Sequence, residues 1–242
     1  MSSEIEIALE ESKILKKTIK KVFPDVEQLK HKCPKLFQKD KDENAGTSIE
    51  IAEVVDMSDT KLLQCLQLLD DNLGALYSVI NGAKWKTAKK TEMQEPGLVY
   101  IMLYQSFEQS KPKLISFISC KIINEADMCV LYLYEIQLAK SIQGFNLGTT
   151  LMKELDNIVT ALNSFGKLKK LWYRNYPDEY SDKKDPLLQL SGVGLTVFSA
   201  NAGAKRLYER LGYVLHADSP VEKQLRSGKV IEPDYYILEK RI

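Results

Sequence analysis

Histidine and cysteine are scarce in this 242-residue sequence, and neither is arranged to bind a metal. Cys33, Cys65, Cys120 and Cys129 form no C-x-x-C pair, and only two histidines accompany them. A zinc site needs a set of such ligands at recognisable spacing. We therefore expect no metal, and we expect the thiols to be buried and reduced, as in proteins of the cytoplasm and nucleus.

The sequence also lacks an excess of charge of either sign and any long apolar run. Lysine and arginine total 34 and aspartate and glutamate 33, for a formal net charge of +1. General nucleic-acid binding depends on excess positive charge, so direct nucleic-acid binding is not expected. No apolar stretch approaches the roughly 18 residues of a membrane span, and the first residues show no signal-peptide pattern. We expect a protein of the cytoplasm and nucleus that is a monomer without a membrane partner.

What the sequence does contain is a pattern of helices followed by strands. Hydrophobic residues make up 44% of the chain, which is typical of a folded globular protein. Residues 3–22 and 58–81 place apolar side chains at helical spacing, and the polar segment 38–48 predicts a loop between them. The next three apolar runs are rich in β-branched and aromatic residues and predict antiparallel strands at 98–104, 113–122 and 129–138.

The second half adds helices and strands in turn, so the whole chain predicts an α+β fold. Residues 173–192 are too polar for a core element and predict an inserted loop. The other predicted elements are a helix over 147–163, strands near 168–173 and 193–198, a helix over 201–211, and closing strands near 213–216 and 235–238.

A segment that can bind an anion begins in the third predicted strand. Residues 134–152 have the pattern of a strand, a short glycine-bearing loop and a helix. Such a loop presents free backbone N–H groups at the start of a helix, where they can bind phosphate. No Gly-Lys-Ser/Thr follows, which excludes a Walker loop, and the absence of G-x-G-x-x-G argues against dinucleotide binding. Several families of phosphate-binding loops stay open on this evidence alone.

A second segment, 201–213, has the pattern of a capped helix that ends in a glycine turn. In this order and at this distance, the two segments resemble the GCN5-related N-acetyltransferase (GNAT) superfamily over roughly residues 70–242. The superfamily's Q/R-x-x-G-x-G/A loop corresponds to residues 143–148 here. Its N-x-x-A-x-x-L-Y-x-x-x-G-F/Y helix is matched at Asn201, Ala204, Leu207, Tyr208, Gly212 and Tyr213.

Asn146 departs from the loop motif, because the superfamily usually has a glycine there. Asparagine is the non-glycine residue that best tolerates a left-handed backbone conformation. We therefore expect the loop to keep its conformation, with weaker affinity for the cofactor.

Further stretches resemble the NatD family, the N-terminal acetyltransferases of histone 4 and histone 2A. They are residues 130–138, residues 194–201 and the upstream pair Tyr77 and Trp85. The resemblance implies a GNAT fold, with a mixed, mostly antiparallel central sheet flanked by helices. It also implies acetyl-CoA as co-substrate, no metal, and histone tails that begin Ser-Gly-Arg-Gly-Lys as partners. The predicted domains are a helical extension over 1–57, packed on the core, and an acetyltransferase domain over 58–242.

The resemblance implies two catalytic residues. Glu135 interrupts an otherwise apolar strand directly before the loop, and it would be the general base, acting directly or through a water. The alternative is a glutamate on the solvent side of an edge strand. In a regular strand Tyr132 and Tyr134 would share one face and Glu135 the other, but the superfamily usually has a bulge here, which lets neighbours converge. Tyr208 would be the general acid for the CoA thiolate, and its alternative is a core aromatic residue.

The resemblance also implies how the cofactor and the substrate are bound. Backbone groups of Ile136, Gln137 and Leu138 would pair with the pantetheine arm. The pyrophosphate would be held by the N–H groups of Gln143, Gly144, Phe145, Asn146, Leu147, Gly148 and Thr149, and Asn201 is a further cofactor-binding candidate. The substrate groove would draw on Tyr77, Trp85, Tyr132, Tyr134 and Glu135, with Glu125, Asp127, Asp218 and Asp234 as charge partners.

Alternatives stay open at several of these positions. Packing against the second predicted helix is a strong alternative for Trp85, and a solvated turn residue is the favoured interpretation of each of the four acidic charge partners. At the level of function, a GNAT enzyme that acetylates lysine side chains or small amines is one alternative. A CoA-binding module without catalysis is another.

Overall fold

Three helices form the first part of the protein. The computed structural model describes residues 2–38, 46–106, 111–125, 128–175, 189–228 and 230–242. Helix α1 spans Ser2–Val22, α2 spans Val26–Lys32 and α3 spans Pro34–Gln38. The carboxylate of Asp25 caps α2 by accepting a hydrogen bond from the backbone N–H of Gln28. Leu15, Ile19 and Leu29 are fully buried in the main hydrophobic core, so α1 and α2 pack on the rest of the chain.

A mixed sheet forms the centre of the fold. The described strands are β1 (Gly46–Glu53), β2 (Val99–Ser106), β3 (Lys113–Glu125), β4 (Met128–Leu138), β5 (Gly192–Phe198), β6 (Val214–Leu215), β7 (Lys223–Gln224), β8 (Val230–Ile231) and β9 (Tyr235–Arg241). Seven of them form one sheet in the order β1-β2-β3-β4-β5-β9-β6, and β7 pairs with β8 separately. Only the β4–β5 pair of the seven-stranded sheet is parallel.

Helices cover both faces of this sheet. The remaining ones are α4 (Asp59–Asn81), α5 (Trp85–Glu92), α6 (Leu147–Phe165), α7 (Lys167–Asn175) and α8 (Ala202–Arg210), with short 3-10 helices at Val54–Asp56 and Lys140–Ile142. Alternate residues of β2 supply the two cores, as the pleat of a strand requires. Tyr100 and Met102 pack with α4 and α5, whereas Ile101 and Leu103 pack with α1, α6 and α7.

The predicted fold class, α+β with a mixed and mostly antiparallel central sheet between helices, is confirmed. The strand predicted near 168–173 is wrong, because those residues belong to α7. Leu168, Leu171 and Trp172 follow the i, i+3, i+4 spacing of a helix and are all buried. The loop predicted over 38–48 is too long, since β1 begins at Gly46. Most of the inserted loop predicted at 173–192 lies outside the described residues.

Two irregularities of β4 position the site. The register between β3 and β4 shifts between Ser119 and Cys120, so that Ser119 faces Glu135, Cys120 faces Leu133, and Tyr134 is the extra residue of a bulge. On its other side β4 pairs with β5 only from Val130 to Leu133. Beyond Leu133 the two strands separate.

In the described part of the chain, no helix is both long and apolar enough to cross a membrane.

Candidate functional site

The separation of β4 from β5 opens a cleft with a volume of about 1500 Å³. One side is formed by β4 and by Tyr77 and Asn72 of α4, and the other by β5 and α8. The loop before α6 and the first turn of that helix lie along the same cleft. Because β5 does not pair with β4 beyond Leu133, the backbone of residues 134–138 has one edge to which none of the described strands is paired.

The bulge turns Glu135 toward the α4–α5 side of the sheet. Leu131 and Leu133 belong to the core under α6, and regular alternation would send residue 135 to that same side. With Tyr134 as the extra residue, Tyr134 and Glu135 both contact groups on the α4–α5 side instead. Glu135 is only 6% exposed and lines the cleft. The alternative of a solvent-facing glutamate is therefore wrong.

Three side chains hold the Glu135 carboxylate. The Tyr77 hydroxyl donates a hydrogen bond of 3.1 Å to Oε1, and Gln137 Nε2 donates one of 2.8 Å to Oε2. The ammonium of Lys89 lies 2.6 Å from Oε1 and forms a salt bridge in which both side chains are buried. Burial raises the pKa of the Tyr77 phenol, and the charge of Glu135 raises it further, so the phenol remains a hydrogen-bond donor at neutral pH.

The loop before α6 has the geometry of an anion site. Asn146 adopts φ 67° and ψ 1°, the left-handed conformation that the sequence predicts it can tolerate, and Gly144 has φ 81°. Within the described residues, the Asn146 side chain forms no capping hydrogen bond with the helix. The first-turn N–H groups of α6 therefore have no side-chain cap from Asn146, and the positive end of the helix dipole faces the cleft. The Gln143 side chain donates to the Leu138 carbonyl at 2.9 Å, which fixes the loop against the end of β4.

Tyr208 and Asn201 enter the cleft from α8. Tyr208 is 6% exposed and lines the same cleft as Glu135. Burial raises its pKa above the ordinary value, and the charge of Glu135 adds to this, so the phenol is protonated at neutral pH. The Asn201 side chain accepts a hydrogen bond of 3.2 Å from the N–H of Ala204 and so caps α8, although Asn201 also lines the cleft.

Aromatic side chains form the end of the cleft beyond Glu135. The rings of Tyr132 and Tyr134 meet edge to face at 5.5 Å between centroids. The Tyr132 hydroxyl bonds Thr196, and the Tyr134 hydroxyl donates to Glu95 Oε2 at 3.1 Å. Glu92 and Glu95 also line the cleft; Glu92 forms a salt bridge with Lys89, and Glu95 lies 3.8 Å from the ammonium of Lys121.

Some predicted site residues do not reach the cleft. Trp85 is 4% exposed and stacks on Tyr77 with 4.6 Å between ring centroids, so the structure supports packing instead of direct substrate contact. Leu147 is buried in the core, and Phe145 packs against that core. The predicted residues that do line the cleft are Tyr77, Tyr132, Tyr134, Glu135, Ile136, Gln137, Leu138, Gln143, Gly144, Asn146, Gly148, Thr149, Asn201, Tyr208 and Asp218.

Two predicted charge partners cannot be placed in this way. The side chain of Glu125 and the whole of Asp127 lie outside the described part of the chain. Asp234 is described but does not line the cleft.

Among the described residues, no three histidine, cysteine, aspartate or glutamate side chains come together as a metal site would require.

Several important residues of the cleft were not predicted: Glu92 and Glu95, and also Lys89 and Asn72. Lys89 lies four residues after Trp85 and four before Met93, which places a lysine on the buried face of α5. The position of Lys89 on this apolar face is the sequence signal that could have revealed it, because a buried lysine needs a carboxylate partner. Asn72 donates hydrogen bonds of 2.9 Å to Gln137 Oε1 and to the Leu138 carbonyl. Nothing in the sequence around Asn72 distinguishes it from a solvated helix residue.

No family model matches the chain. The chain is 30% identical over 203 residues to N-alpha-acetyltransferase 40 of Saccharomyces cerevisiae, a match that covers 74% of this chain and 64% of that protein. This chain therefore spans less than two thirds of the length of that relative.

Solved structures resemble the protein more distantly. PH1933 from Pyrococcus horikoshii OT3 is 16% identical, with a TM-score of 0.46 over 81% of this chain and 99% of that chain. Arabidopsis thaliana NAA60 in complex with a bisubstrate analogue is 14% identical, with the same TM-score over 81% of this chain and 99% of that chain. At this level of similarity, these structures do not bear on what the protein acts on.

Proposed function

We propose that this protein is an N-alpha-acetyltransferase that transfers acetyl from acetyl-CoA to the free N-terminal serine of histone 4 and histone 2A. The observation that carries the proposal is Glu135, a buried carboxylate that a strand bulge turns into a cleft beside an uncapped helix start. The similarity to yeast N-alpha-acetyltransferase 40 supports the class of reaction. The NatD resemblance of the sequence supports the histone substrate.

The residues of the cleft fit acetyl-CoA. The free edge of β4 at residues 136–138 can pair with the amides of the pantetheine arm, and the first turn of α6 can bind the pyrophosphate. The Oδ1 atom of Asn72 is buried in the lining without a hydrogen-bond partner among the described residues. Such an atom needs a donor, and a pantetheine amide is one. When bound, acetyl-CoA supplies the activated acetyl thioester.

The side chains of the cleft can move the two protons of the reaction. The substrate amine arrives as an ammonium, and Glu135 takes its proton directly or through a water. The amine nitrogen then forms a bond with the acetyl carbon while the carbon–sulfur bond breaks, and the nitrogen loses its second surplus proton to water to become a neutral amide. Tyr208 donates its phenolic proton to the leaving sulfur, since burial keeps that phenol protonated until the sulfur becomes negative. Exchange with water then returns a proton to Tyr208 and removes the one held by Glu135.

The charge of the cleft favours a cationic peptide. Glu92 and Glu95 lie beyond Glu135, next to the rings of Tyr132 and Tyr134. Carboxylates and phenols of this kind bind the guanidinium of an arginine through charge-assisted hydrogen bonds. We include Asp218 among the candidate partners because it lines the cleft, and Glu125 and Asp127 stay predictions of the sequence.

A peptide panel tests the proposal. The full chain is incubated with acetyl-CoA and with Ser-Gly-Arg-Gly-Lys peptides, peptides of unrelated N-terminal sequence, and the first peptide with its α-amine blocked. We expect turnover on the free Ser-Gly-Arg-Gly-Lys terminus alone. Equal turnover of all free termini would refute the histone substrate, and turnover of the blocked peptide would indicate a lysine acetyltransferase. Calorimetric binding of acetyl-CoA without turnover would indicate a binding module.

Glu135→Gln tests the base within the same assay. The variant keeps the shape of the side chain and its hydrogen bond to Tyr77 but cannot take a proton, so kcat should fall well over tenfold, within the range of about 10²–10⁴ for such catalysis. Glu27→Gln, the same change on the exposed surface of α2, is the matched control. A Glu135→Gln rate close to that of the wild type would remove the base from the mechanism.

Three broader features belong to the same proposal. We propose that the protein acts as a monomer in the cytoplasm and nucleus, where histones are made and used. We also propose that residues 1–57 are an extension that stabilises the acetyltransferase domain, a role supported by the burial of Leu15 and Ile19. Removal of residues 1–23 should therefore lower Tm, and an unchanged Tm would contradict that role.

A further inference from the structure

Lys89 is a buried cation at the centre of the candidate site. It is 6% exposed, and its Nζ lies 2.6 Å from Glu135 Oε1. The same ammonium forms a salt bridge with Glu92 Oε1 and lies 5.5 Å from the centroid of the Tyr77 ring. A lysine is almost never buried unless it is paired, so these contacts are what keep it in place.

The two carboxylates that share Lys89 differ in their access to solvent. The Glu135 side chain is 7% exposed and faces the reacting end of the cleft, whereas the Glu92 side chain is 39% exposed. If Lys89 were lost, water could therefore solvate the Glu92 carboxylate, but little water could reach the Glu135 carboxylate. Loss of the ammonium would leave Glu135 as an unpaired buried charge, which is the costly case.

The contacts of Lys89 also exclude other roles for its amine. Burial disfavours the charged form, but the attraction of Glu135 and Glu92 outweighs it, so the pKa of Lys89 is raised above its ordinary value. An amine that stays protonated cannot act as a nucleophile or as a general base. What remains is the electrostatic effect of a fixed positive charge on its neighbours.

We propose that Lys89 is a positioning residue of the acetyl-transfer reaction, which holds the Glu135 carboxylate in the place where it can take the proton of the substrate amine. This inference rests on the proposed function, since it assigns Glu135 the part of the base. Glu92 competes with Glu135 for the same ammonium and so weakens the hold of Lys89 on Glu135.

The other titratable groups near Glu135 do not supply a second cation. In the described part of the chain, those that face it or act on it from neighbouring elements are Tyr77 of α4, Lys89 and Glu92 of α5, Tyr100 of β2 and Tyr208 of α8. The tyrosines are neutral at working pH because burial raises the pKa of each. Lys89 is therefore the positive charge of this group, and its removal has a defined electrostatic consequence.

The pH profile of kcat tests the inference with variants that shift it in opposite directions. Lys89→Met removes the positive charge that lies 2.6 Å from the proposed base, so the acidic limb of the profile should move to higher pH. In Glu92→Gln, Lys89 serves Glu135 alone, and the limb should move to lower pH. Lys89→Arg keeps the charge and should restore most of the wild-type profile. Lys90→Met, the same change at the next position of α5, should leave the profile unmoved.

A merely structural lysine would give a different result. Loss of kcat at all pH values without a shift of the limb, or equal shifts in Lys89→Met and Lys90→Met, would overturn the inference. Glu92 is half-exposed, so its variant keeps the test available if Lys89→Met does not fold. An unmoved or raised limb in Glu92→Gln would likewise contradict the proposed competition.

A measurement without turnover separates this inference from the proposed function. The carboxyl carbon of Glu135, labelled with ¹³C and assigned by comparison with Glu135→Gln, can be titrated by NMR in the wild type and in Lys89→Met. We expect protonation at clearly higher pH in Lys89→Met, whether or not any peptide is acetylated. Identical titrations would reject the role of Lys89 even in an active acetyltransferase. Shifted titrations without turnover on any amine would instead reject the proposed function.

Discussion

The Tyr77 hydroxyl donates a hydrogen bond of 3.1 Å to Glu135, and the ring that carries it stacks on Trp85 at 4.6 Å between centroids. The Phe198 ring packs nearly at right angles to the same Tyr77 ring, with 4.8 Å between the two centroids. Tyr77 is thus fixed on two sides by aromatic packing, and its hydroxyl has a defined place. Trp85 influences the site through this ring, although it does not itself line the cleft.

Tyr77→Phe should lower kcat by about tenfold, because a hydrogen bond to a charged group contributes about 1.5–3 kcal/mol. The ring stack is kept, so the free energy of unfolding should fall only by the contribution of that hydrogen bond, about 1.5–3 kcal/mol. Steady-state kinetics and urea denaturation measure the two effects. Tyr104→Phe removes a buried hydroxyl that contacts Met102 instead of the site, and it should leave kcat unchanged. A Tyr77→Phe variant altered only in KM would place the hydroxyl in substrate binding.

Asn146 should tolerate glycine better than alanine. Its φ of 67° is left-handed, a conformation that costs an alanine roughly 1–2 kcal/mol and glycine very little. We expect Asn146→Ala to lose stability by about that amount and to bind acetyl-CoA more weakly, whereas Asn146→Gly should bind at least as tightly as the wild type. Calorimetric titration with acetyl-CoA compares the three proteins. Equal affinity of the alanine and glycine variants would show that the conformation of this residue does not control binding.

Glu95→Gln should weaken the binding of a cationic peptide more than it slows the reaction. Glu95 accepts a hydrogen bond from Tyr134 and lines the end of the cleft, where the proposed substrate carries arginine. Loss of one charge-assisted contact should raise KM for Ser-Gly-Arg-Gly-Lys by about tenfold, with a smaller effect when its arginine is replaced by alanine. If both peptides lose the same factor, Glu95 does not read the arginine.

Glu11 should make the stability of the protein depend on pH. The side chain is 8% exposed and accepts a hydrogen bond of 2.7 Å from Trp172 Nε1. Burial raises the pKa of Glu11 from 4.5 to about 7, partly opposed by the Trp172 hydrogen bond and by Lys121. The folded state therefore keeps a proton that the unfolded chain releases above its own lower pKa. Stability from this group is complete at low pH and is lost as pH rises through about 7.

Glu11→Gln measures that effect. Glutamine keeps an oxygen for Trp172 and carries no charge, so the variant should be more stable than the wild type at pH 8, by up to about 3 kcal/mol, and nearly equal to it at pH 4. Chemical denaturation across this range gives the difference. Glu10→Gln is the control, because the Glu10 side chain is half-exposed and forms a salt bridge with Arg174. A constant difference between Glu11→Gln and the wild type at all pH values would contradict the assignment.

The elements that local pattern predicts are those with long and distinctive stretches. The helix over 147–163 has a clear helical period, and the central strands at 98–104 and 129–138 are apolar runs rich in β-branched and aromatic residues; they appear as α6, β2 and β4. The segment 168–173 is short and contains Leu, Trp and Tyr, which suit a strand as well as a helix. The segment is a helix because its i, i+3, i+4 apolar side chains pack against α1 and α6 in the folded protein. Strand β1 begins within a polar segment and borders the sheet, so its start has little hydrophobic signal.

The site likewise has a part that local sequence predicts and a part that it does not. Glu135 and the loop at 143–148 are local features, because they depend on consecutive residues and on a motif. Lys89 and Asn72 act through contacts with β4 that join positions far apart in the chain. No spacing rule connects α4 or α5 to that strand. Which carboxylate a buried lysine will pair with becomes clear only when the sheet and its helices are assembled.

The bulge at Tyr134 makes the place of the carboxylate depend on how β4 pairs with β3. If β4 kept its residues but paired without the bulge, Glu135 would point to the face that α6 covers, where Leu131 and Leu133 are buried. The same side chain would then be an unpaired charge in an apolar core. A slip of the β3–β4 register beyond Leu133 would therefore convert a reagent into a folding defect, so the position of the bulge is part of the identity of the site.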